Sequence, residues 1–180
     1  IYFDSSNPSL ENVIISGNSA TGGGGGIYFR YYSSPGLENV LITGNSAGYG
    51  GGVYCWTSSN PSLENVTISG NSASYNGGGM YCVSSSSPSL ENVTITNNSA
   101  STGGGIDCRN NASPSLENVT ITNNTASGNG GGIYCDNSSP SLDSVTITGN
   151  SATNGGGIYF SGSSATLDSV TITGNSATNG

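Results

Sequence analysis

The chain has 180 residues and a formal net charge of −8, with 2 Lys and Arg residues against 10 Asp and Glu residues. Nucleic acids and anionic lipid surfaces attract proteins through clustered cations, so we expect neither as a partner. No apolar run approaches the roughly 20 residues that span a bilayer, which excludes membrane insertion by this segment. The 30 glycines would suggest disorder, but the apolar residues recur at fixed intervals, which predicts a folded repeat protein.

A unit of about 26 residues recurs seven times along the whole chain. The copies differ in length only after Asn-Ser-Ala and before the proline, so these two places are predicted loops. The chain begins and ends inside the pattern, and residues 1–180 are therefore expected to be a single solenoid segment excerpted from a longer repeat array. One leucine marks each unit: Leu10, Leu37, Leu63, Leu90, Leu116, Leu142 and Leu167. An aliphatic residue after a glycine run marks a second column: Ile27, Val53, Met80, Ile106, Ile133 and Ile158.

Within each unit the polarity alternates with period two. In the first element after the glycines, Ile133 and Cys135 point one way and Tyr134 the other. In the later element Val-Thr-Ile-Thr, Val93 and Ile95 share one face and the threonines share the other. We predict two or three short strands per unit, separated by Gly, Asn, Ser and Pro corners. Such units are stable only when stacked, so the predicted fold is all-β, a parallel β-solenoid of about seven coils spaced by ~4.8 Å.

Two short motifs carry a family resemblance that spans all seven units. The element Gly131-Gly132-Ile133 and the later element Ile121-Thr122-Asn123-Asn124 resemble the GG-aliphatic and F-x-x-N repeats of polymorphic outer-membrane proteins and related bacterial surface proteins. Ile replaces Phe in the second motif. The resemblance implies a right-handed parallel β-helix, secretion, an extracellular or cell-surface location and adhesion, with surface carbohydrate or another cell-surface protein as the partner.

Asparagine recurs at two predicted corners of the coil. At the first corner, stacked side-chain amides can bond one another and the turn backbone, which predicts a structural ladder. Its members are Asn18, Asn45, Asn71, Asn98, Asn124, Asn150 and Asn175. At the second corner, asparagine is expected in the left-handed conformation, which it tolerates well. Its members are Asn12, Asn39, Asn65, Asn92 and Asn118.

All four cysteines share one column: Cys55, Cys82, Cys108 and Cys135. Phe3, Phe29 and Phe160 hold the same position in other units, so the column is predicted to face inward as buried thiols. Parallel coils bring the Cα atoms within disulfide range, but the Cβ vectors run side by side, which favours free thiols over disulfides. A linear row cannot surround a tetrahedral zinc ion.

Seven of the ten acids form one predicted outward row: Glu11, Glu38, Glu64, Glu91, Glu117, Asp143 and Asp168. Neighbouring like charges repel by ~0.9 kcal/mol at ~4.8 Å even in water. Splayed, hydrated side chains are the favoured interpretation, because the row lacks the clustered acids of a calcium loop. Bridging by Ca²⁺ is the alternative, and we otherwise expect no cofactor.

The remaining charges bear on catalysis. Pectate-lyase-like enzymes share this fold and cluster acids with Lys, Arg or His on one face. This chain offers only Asp107, Arg109 and Asp136 as a mixed group. Arg30 aligns with Asp4, and Arg109 with Asp136, on adjacent coils. The sequence therefore predicts cross-coil surface ion pairs rather than an enzyme.

A tyrosine column is predicted to face outward beside the cysteine column, and Asp107 interrupts it. It is the best candidate for contact with a sugar or a protein partner, and a simple covering of the sheet is the alternative. The column comprises Tyr28, Tyr54, Tyr81, Tyr134 and Tyr159, with Tyr2 at its start.

Paired outward hydroxyls on five units resemble the ice-binding face of insect antifreeze proteins. Ile14 and Leu41 break the pattern in the first two units, and β-propensity alone can explain the threonines. The pairs are Thr67 and Ser69, Thr94 and Thr96, Thr120 and Thr122, Thr146 and Thr148, and Thr171 and Thr173.

Taken together, these features predict a non-enzymatic extracellular protein that forms a rigid stalk, filament or adhesin segment. Its partner is expected to be another copy of itself, by end-to-end stacking of coils, because the ends of a solenoid expose unpaired strands. Ice binding and a pectate-lyase-like carbohydrate-active role are the two alternatives.

Overall fold

Short segments of alternating polarity form 27 β-strands in a computed structural model that describes residues 1–180. No helix has the length and hydrophobicity needed to cross a membrane. Four sheets run along the molecule. Each of the last six coils contributes one strand to every sheet, and the first coil contributes a strand to three of them. The prediction of two or three strands per coil was therefore wrong. The fourth strand consists of Ser, Ala, Asn, Thr, Gly and Tyr residues, most of which have low β-propensity. It forms because backbone N–H and C=O groups of the neighbouring coils are placed to pair with it.

The strands are numbered in chain order and the sheets are lettered in the order in which a coil visits them. Sheet A contains β1 (Tyr2–Asp4), β4 (Ile27–Arg30), β8 (Val53–Trp56), β12 (Met80–Val83), β16 (Ile106–Arg109), β20 (Ile133–Asp136) and β24 (Ile158–Ser161). Sheet B contains β2 (Leu10–Glu11), β5 (Gly36–Glu38), β9 (Ser62–Glu64), β13 (Ser89–Glu91), β17 (Ser115–Glu117), β21 (Ser141–Asp143) and β25 (Thr166–Asp168). Sheet C contains β3 (Ile14–Ser16), β6 (Leu41–Thr43), β10 (Thr67–Ser69), β14 (Thr94–Thr96), β18 (Thr120–Thr122), β22 (Thr146–Thr148) and β26 (Thr171–Thr173). Sheet D contains β7 (Ser46–Tyr49), β11 (Ser72–Asn76), β15 (Ser99–Ala100), β19 (Thr125–Ala126), β23 (Ser151–Asn154) and β27 (Ser176–Asn179).

Every strand pair is parallel, and equivalent residues of successive coils face each other. Leu63 pairs with Leu90, for example, and Cys82 with Cys108. Sheets A, B and C keep this register throughout, whereas sheet D shows one irregularity between Ala73 and Asn76. The predicted parallel β-solenoid of about seven coils is confirmed.

The interior is filled by continuous columns from the inward positions of the strands. A cluster of 28 buried hydrophobic residues runs through the molecule. Val119 and Ile121 are buried, whereas Thr120 between them is partly exposed, which is the strand phase expected from the alternation. In the last coil, Phe160 and Ile172 are 40% and 48% exposed, because no further coil of this segment covers them.

The glycine runs satisfy two separate steric demands. Gly103 has a φ of 59°, in the left-handed region that glycine adopts at little cost. At Gly105 an added Cβ would lie 2.5 Å from the carbonyl oxygen of Gly132 and 3.2 Å from the side-chain nitrogen of Asn124. The first glycine of the run therefore makes the turn, and the last allows the coils to approach.

Candidate functional site

The first asparagine corner is a buried chain of hydrogen bonds. Nδ2 of Asn71 donates to Oδ1 of Asn98 at 3.0 Å, and Nδ2 of Asn98 donates to Oδ1 of Asn124 at 3.0 Å. Oδ1 of Asn98 also accepts from the backbone N–H of Asn71 at 2.9 Å, and its Nδ2 also donates to the carbonyl of Ile68 at 3.0 Å. Each interior amide of the row thus has its donors and acceptor satisfied. The same side-chain bonds join Asn18, Asn45, Asn71, Asn98, Asn124, Asn150 and Asn175.

The second asparagine corner lies at the surface. Asn12, Asn39, Asn65, Asn92 and Asn118 all have φ values of 53° or 54°, in the left-handed region. Ser144 and Ser169 take the same conformation in the last two coils. These side chains are exposed and contribute to the turn rather than to the core.

A third corner, after sheet A, carries a serine ladder that sequence reasoning missed. The backbone N–H of Ser33 donates to Oγ of Ser59 at 3.3 Å, and that of Ser59 to Oγ of Ser86 at 3.1 Å. All three serines are buried. Serine is so abundant in this chain that the ladder does not stand out in the sequence. The recurrence of a serine shortly before the proline is the pattern that could have predicted it.

The four cysteines are free and fully buried on adjacent strands of sheet A. A hydrogen bond with Cys108 and burial together raise the pKa of the Cys135 thiol well above its usual value. All four thiols are shielded from solvent, and they pack as small apolar groups.

The acidic row lies on the outer face of sheet B in continuous register. Glu64 pairs with Glu91, and Glu91 with Glu117. All seven side chains are exposed, and six of them line a groove of about 540 Å³ together with the serines and leucines of the same strands. No group of three or more His, Cys, Asp or Glu side chains is placed to hold a metal ion.

The mixed charged group differs from the prediction. Asp107 is fully buried, and its carboxylate accepts from Nε of Arg109 at 2.8 Å and from the hydroxyl of Thr102 at 2.7 Å. Nδ2 of Asn76, from the preceding coil, adds a bond of 2.9 Å. Arg109 thus pairs within its own coil and not with Asp136, because Asp107 lies beside it on β16 and is already desolvated. The predicted cross-coil pair does form between Arg30 and Asp4, at 3.8 Å.

The tyrosine column is less accessible than predicted. Tyr28 stacks on Tyr54 at 4.6 Å and Tyr54 on Tyr81 at 5.1 Å between ring centroids, so their faces cover one another. Tyr81 and Tyr134 are only 8% exposed. Burial raises the pKa of Tyr28 and of Tyr81 to about 12. Tyr159 stacks on Tyr134 beyond the interruption at Asp107, and these rings chiefly cover the sheet.

Additional aromatic side chains extend the first part of this column sideways into what we call the aromatic band. The band crosses the outer face of sheet A, with successive ring centroids 5.1, 6.4, 4.6, 6.5 and 5.3 Å apart. Sequence reasoning missed its flanks because they lie outside the tyrosine column, in other columns and at a corner of the coil. Its members in order are Tyr75, Tyr49, Tyr54, Tyr28, Trp56 and Tyr31.

The paired hydroxyls form two columns in register on the outer face of sheet C. Thr94 pairs with Thr120 and Thr96 with Thr122, and the columns continue through Thr146 and Thr148. Their side chains are partly exposed. At the other end of the sheet Ile14 is 70% exposed, so this face is not uniformly hydroxylated.

Comparison with known proteins gives two family matches. The family model described as a right-handed beta helix region matches residues 1–152. The Chlamydia polymorphic membrane protein repeat model matches residues 144–161. No curated protein and no solved structure matches the chain.

Proposed function

Since the chain belongs to the right-handed β-helix family, we propose that it serves as a rigid, non-catalytic segment of a cell-surface or extracellular stalk or adhesin. The observation that carries this proposal is the continuity of the solenoid. Sheets A to C run through all seven coils, and the backbone forms 117 hydrogen bonds. A rod held by ladders along its axis resists bending and extends by simple repetition.

The surface location is supported by the similarity of residues 144–161 to the Chlamydia polymorphic membrane protein repeat. The composition agrees with it, because a chain that is rich in Ser, Thr and Asn and poor in cations suits an exposed, hydrated surface.

A non-catalytic role is supported by the state of the polar groups that pectate-lyase-like chemistry would use. The carboxylate of Asp107 is buried and bonded to Arg109, Thr102 and Asn76. The other arginine, Arg30, is held by the hydroxyls of Tyr2 and Tyr31 at 2.9 and 2.8 Å. Neither cation faces an acid across an open cleft.

Two measurements test the proposal. Antibodies raised against the segment should label intact cells of the source organism, and labelling only after permeabilisation would contradict a surface location. Genetically joined copies, with two glycines added after Gly180 to complete the Gly-Gly-Gly run, should lengthen by ~34 Å per copy in small-angle X-ray scattering. A maximum dimension that grows much less would show that the copies do not continue one rod.

Ice binding is a second candidate, favoured by the unbroken register of Thr94, Thr120 and Thr146 on a sheet without irregularity. If this face binds ice, replacing these three threonines by tyrosine should abolish thermal hysteresis and leave the far-ultraviolet circular dichroism unchanged. Absence of hysteresis in the parent protein would remove this candidate.

A further inference from the structure

The aromatic side chains are confined to one part of an otherwise repetitive molecule. Eight of the 10 tyrosines and the only tryptophan lie within residues 2–81. At the sheet A position of Arg30 and Trp56, later coils carry Asp136 and Ser161. Those later coils form the same four sheets without the aromatic band. The band is therefore not required for the fold.

Two of the tyrosines in this region adopt a backbone conformation that disfavours them. Tyr31 and Tyr32 have φ values of 49° and 61°, whereas the corresponding corner of the fifth coil has Asn110 and Asn111. Left-handed backbone costs roughly 1–2 kcal/mol for most residues and less for asparagine. Tyr32 is also 68% exposed, so little burial offsets this cost. Such strain at an exposed aromatic residue indicates a role in binding rather than in folding.

The exposed surface of the region combines ring faces with hydroxyl groups. Its large exposed side chains are tyrosines, with Tyr75 56% and Tyr2 54% exposed. Serine residues line the corners beside it, including Ser58 and Ser84. A tyrosine offers an apolar face and a hydrogen-bonding tip, which matches a ligand that alternates C–H and O–H groups. Neither concave region of the molecule lies here, so an extended polymer fits this surface better than a small molecule.

The local charge favours an uncharged ligand. Arg30 and Asp4 lie 3.8 Å apart and balance each other, and the acidic row lies on a different sheet. The net charge of −8 repels polyanions at long range.

We propose that the aromatic band, with Tyr2 and Tyr32 beside it, binds a neutral, hydroxyl-rich polysaccharide chain laid across sheet A. This inference rests on the proposed surface role and assigns the binding face of that segment. The exposed rings of Tyr75 and Tyr32 pack against the sugar C–H groups, and the phenol and serine hydroxyls bond the sugar hydroxyls. The guanidinium of Arg30 lies over the rings of Tyr31 and Trp56, at 4.2 and 5.1 Å from their centroids, and holds them beside the bound chain.

The test uses the 180-residue protein and Trp56 as its internal reporter, since this is the only tryptophan. Neutral probes (xylan, galactomannan and soluble β-glucan) and one acidic probe (polygalacturonate) are titrated while the tryptophan emission is recorded. Affinity electrophoresis on the same polymers gives an independent measure. We expect a neutral polymer to shift the emission of Trp56 and to retard the protein, with little effect of the acidic polymer.

Three variants separate binding from folding. Tyr75→Ser should weaken binding about tenfold, equivalent to about 1.4 kcal/mol. Tyr32→Asn should weaken binding while raising the melting temperature, because asparagine suits the left-handed corner; a purely structural tyrosine would not behave this way. Tyr159→Ser is the control matched to Tyr75→Ser, since it makes the same change at a member of the tyrosine column that lies outside the band, and it should leave affinity unchanged.

Four outcomes would overturn the proposal. The first two are absence of binding to every neutral polymer and binding to polygalacturonate alone. The third is that Tyr159→Ser weakens polysaccharide binding as much as Tyr75→Ser does. The fourth is capture of a protein partner that depends on Tyr75 and that no polysaccharide competes with. None of these outcomes affects immunolabelling of cells or the lengthening of joined copies, so failure of the binding site is distinguishable from failure of the stalk.

Discussion

Asp107 shows what one residue does when it departs from its column. It replaces a tyrosine, and its buried carboxylate is stabilised by Arg109, Thr102 and Asn76. Removing one partner of a buried ion pair leaves a desolvated charge, so Arg109→Ala should cost ~3–5 kcal/mol in unfolding free energy measured with urea. The double variant Asp107→Tyr/Arg109→Ala restores the column and should recover most of the loss. A single variant that costs less than about 1 kcal/mol, the value of a surface pair, would contradict this assignment.

The buried asparagines carry a second prediction at the residue scale. Asn98→Ala removes four hydrogen bonds, and it leaves the backbone N–H and one side-chain N–H of Asn71 unpaired in the interior and takes a donor from the carbonyl of Ile68. Each buried unpaired group costs ~1–3 kcal/mol, so we expect a loss of at least ~3 kcal/mol. Asn92→Ala, at the exposed corner, should cost only ~1–2 kcal/mol. Equal losses in urea denaturation would show that the buried ladder contributes no more than the surface turn.

At the scale of one element, the stacked tyrosines on sheet A make stability depend on alkaline pH. Burial raises the pKa of Tyr28 and Tyr81 to about 12, against ~10 in an unfolded chain. The folded state holds these phenol protons more tightly, so their contribution is complete below about pH 10 and is lost as the pH rises towards 12. The unfolding free energy should therefore fall across this interval. The tyrosinate absorbance of Tyr28 and Tyr81 should appear only as the pH approaches 12.

The control for this prediction is Tyr81→Phe, which keeps the ring and removes one ionisable hydroxyl. Its stability should decline less steeply with pH than that of the parent. The substitution leaves the four buried thiols in place, so they are the same in both proteins. Parallel pH profiles for the two proteins would show that the phenols do not cause the decline.

At the scale of the whole molecule, a segment produced on its own presents unpaired strands at both ends. Phe160, Leu167 and Ile172 are 40%, 44% and 48% exposed at one end, and Ile1 and Tyr2 are exposed at the other. When the last coil of one molecule pairs with the first coil of another, the contact is heterologous and does not form a closed ring. We therefore expect concentration-dependent fibres with an axial repeat of ~4.8 Å. Backbone ladders and apolar columns hold this contact, so it should persist in molar salt.

The fibre prediction has its own control. Leu167→Lys with Ile172→Lys places charges on the exposed end and should keep the protein monomeric in electron microscopy and light scattering. A parent protein that remains monomeric at every concentration would disprove end-to-end stacking.

The amino-acid sequence by itself determined the period, the strand phase and the parallel stacking. Each of these is repeated seven times, so a weak local signal at Leu63 or Ile68 becomes strong when the copies are aligned. The asparagine and cysteine columns were visible for the same reason.

Tertiary structure alone decided the features that depend on burial and on contacts between coils. The pairing of Arg109 with Asp107 rather than Asp136 depends on which carboxylate is desolvated, and alignment of columns does not report burial. In six of the seven coils a fourth strand forms only because adjacent coils supply hydrogen-bond partners. The aromatic band joins residues of sheets A and D and of a loop. Tyr28 and Tyr54 share one repeated column, but only packing around each coil brings Tyr49 beside Tyr54 and Tyr31 beside Trp56.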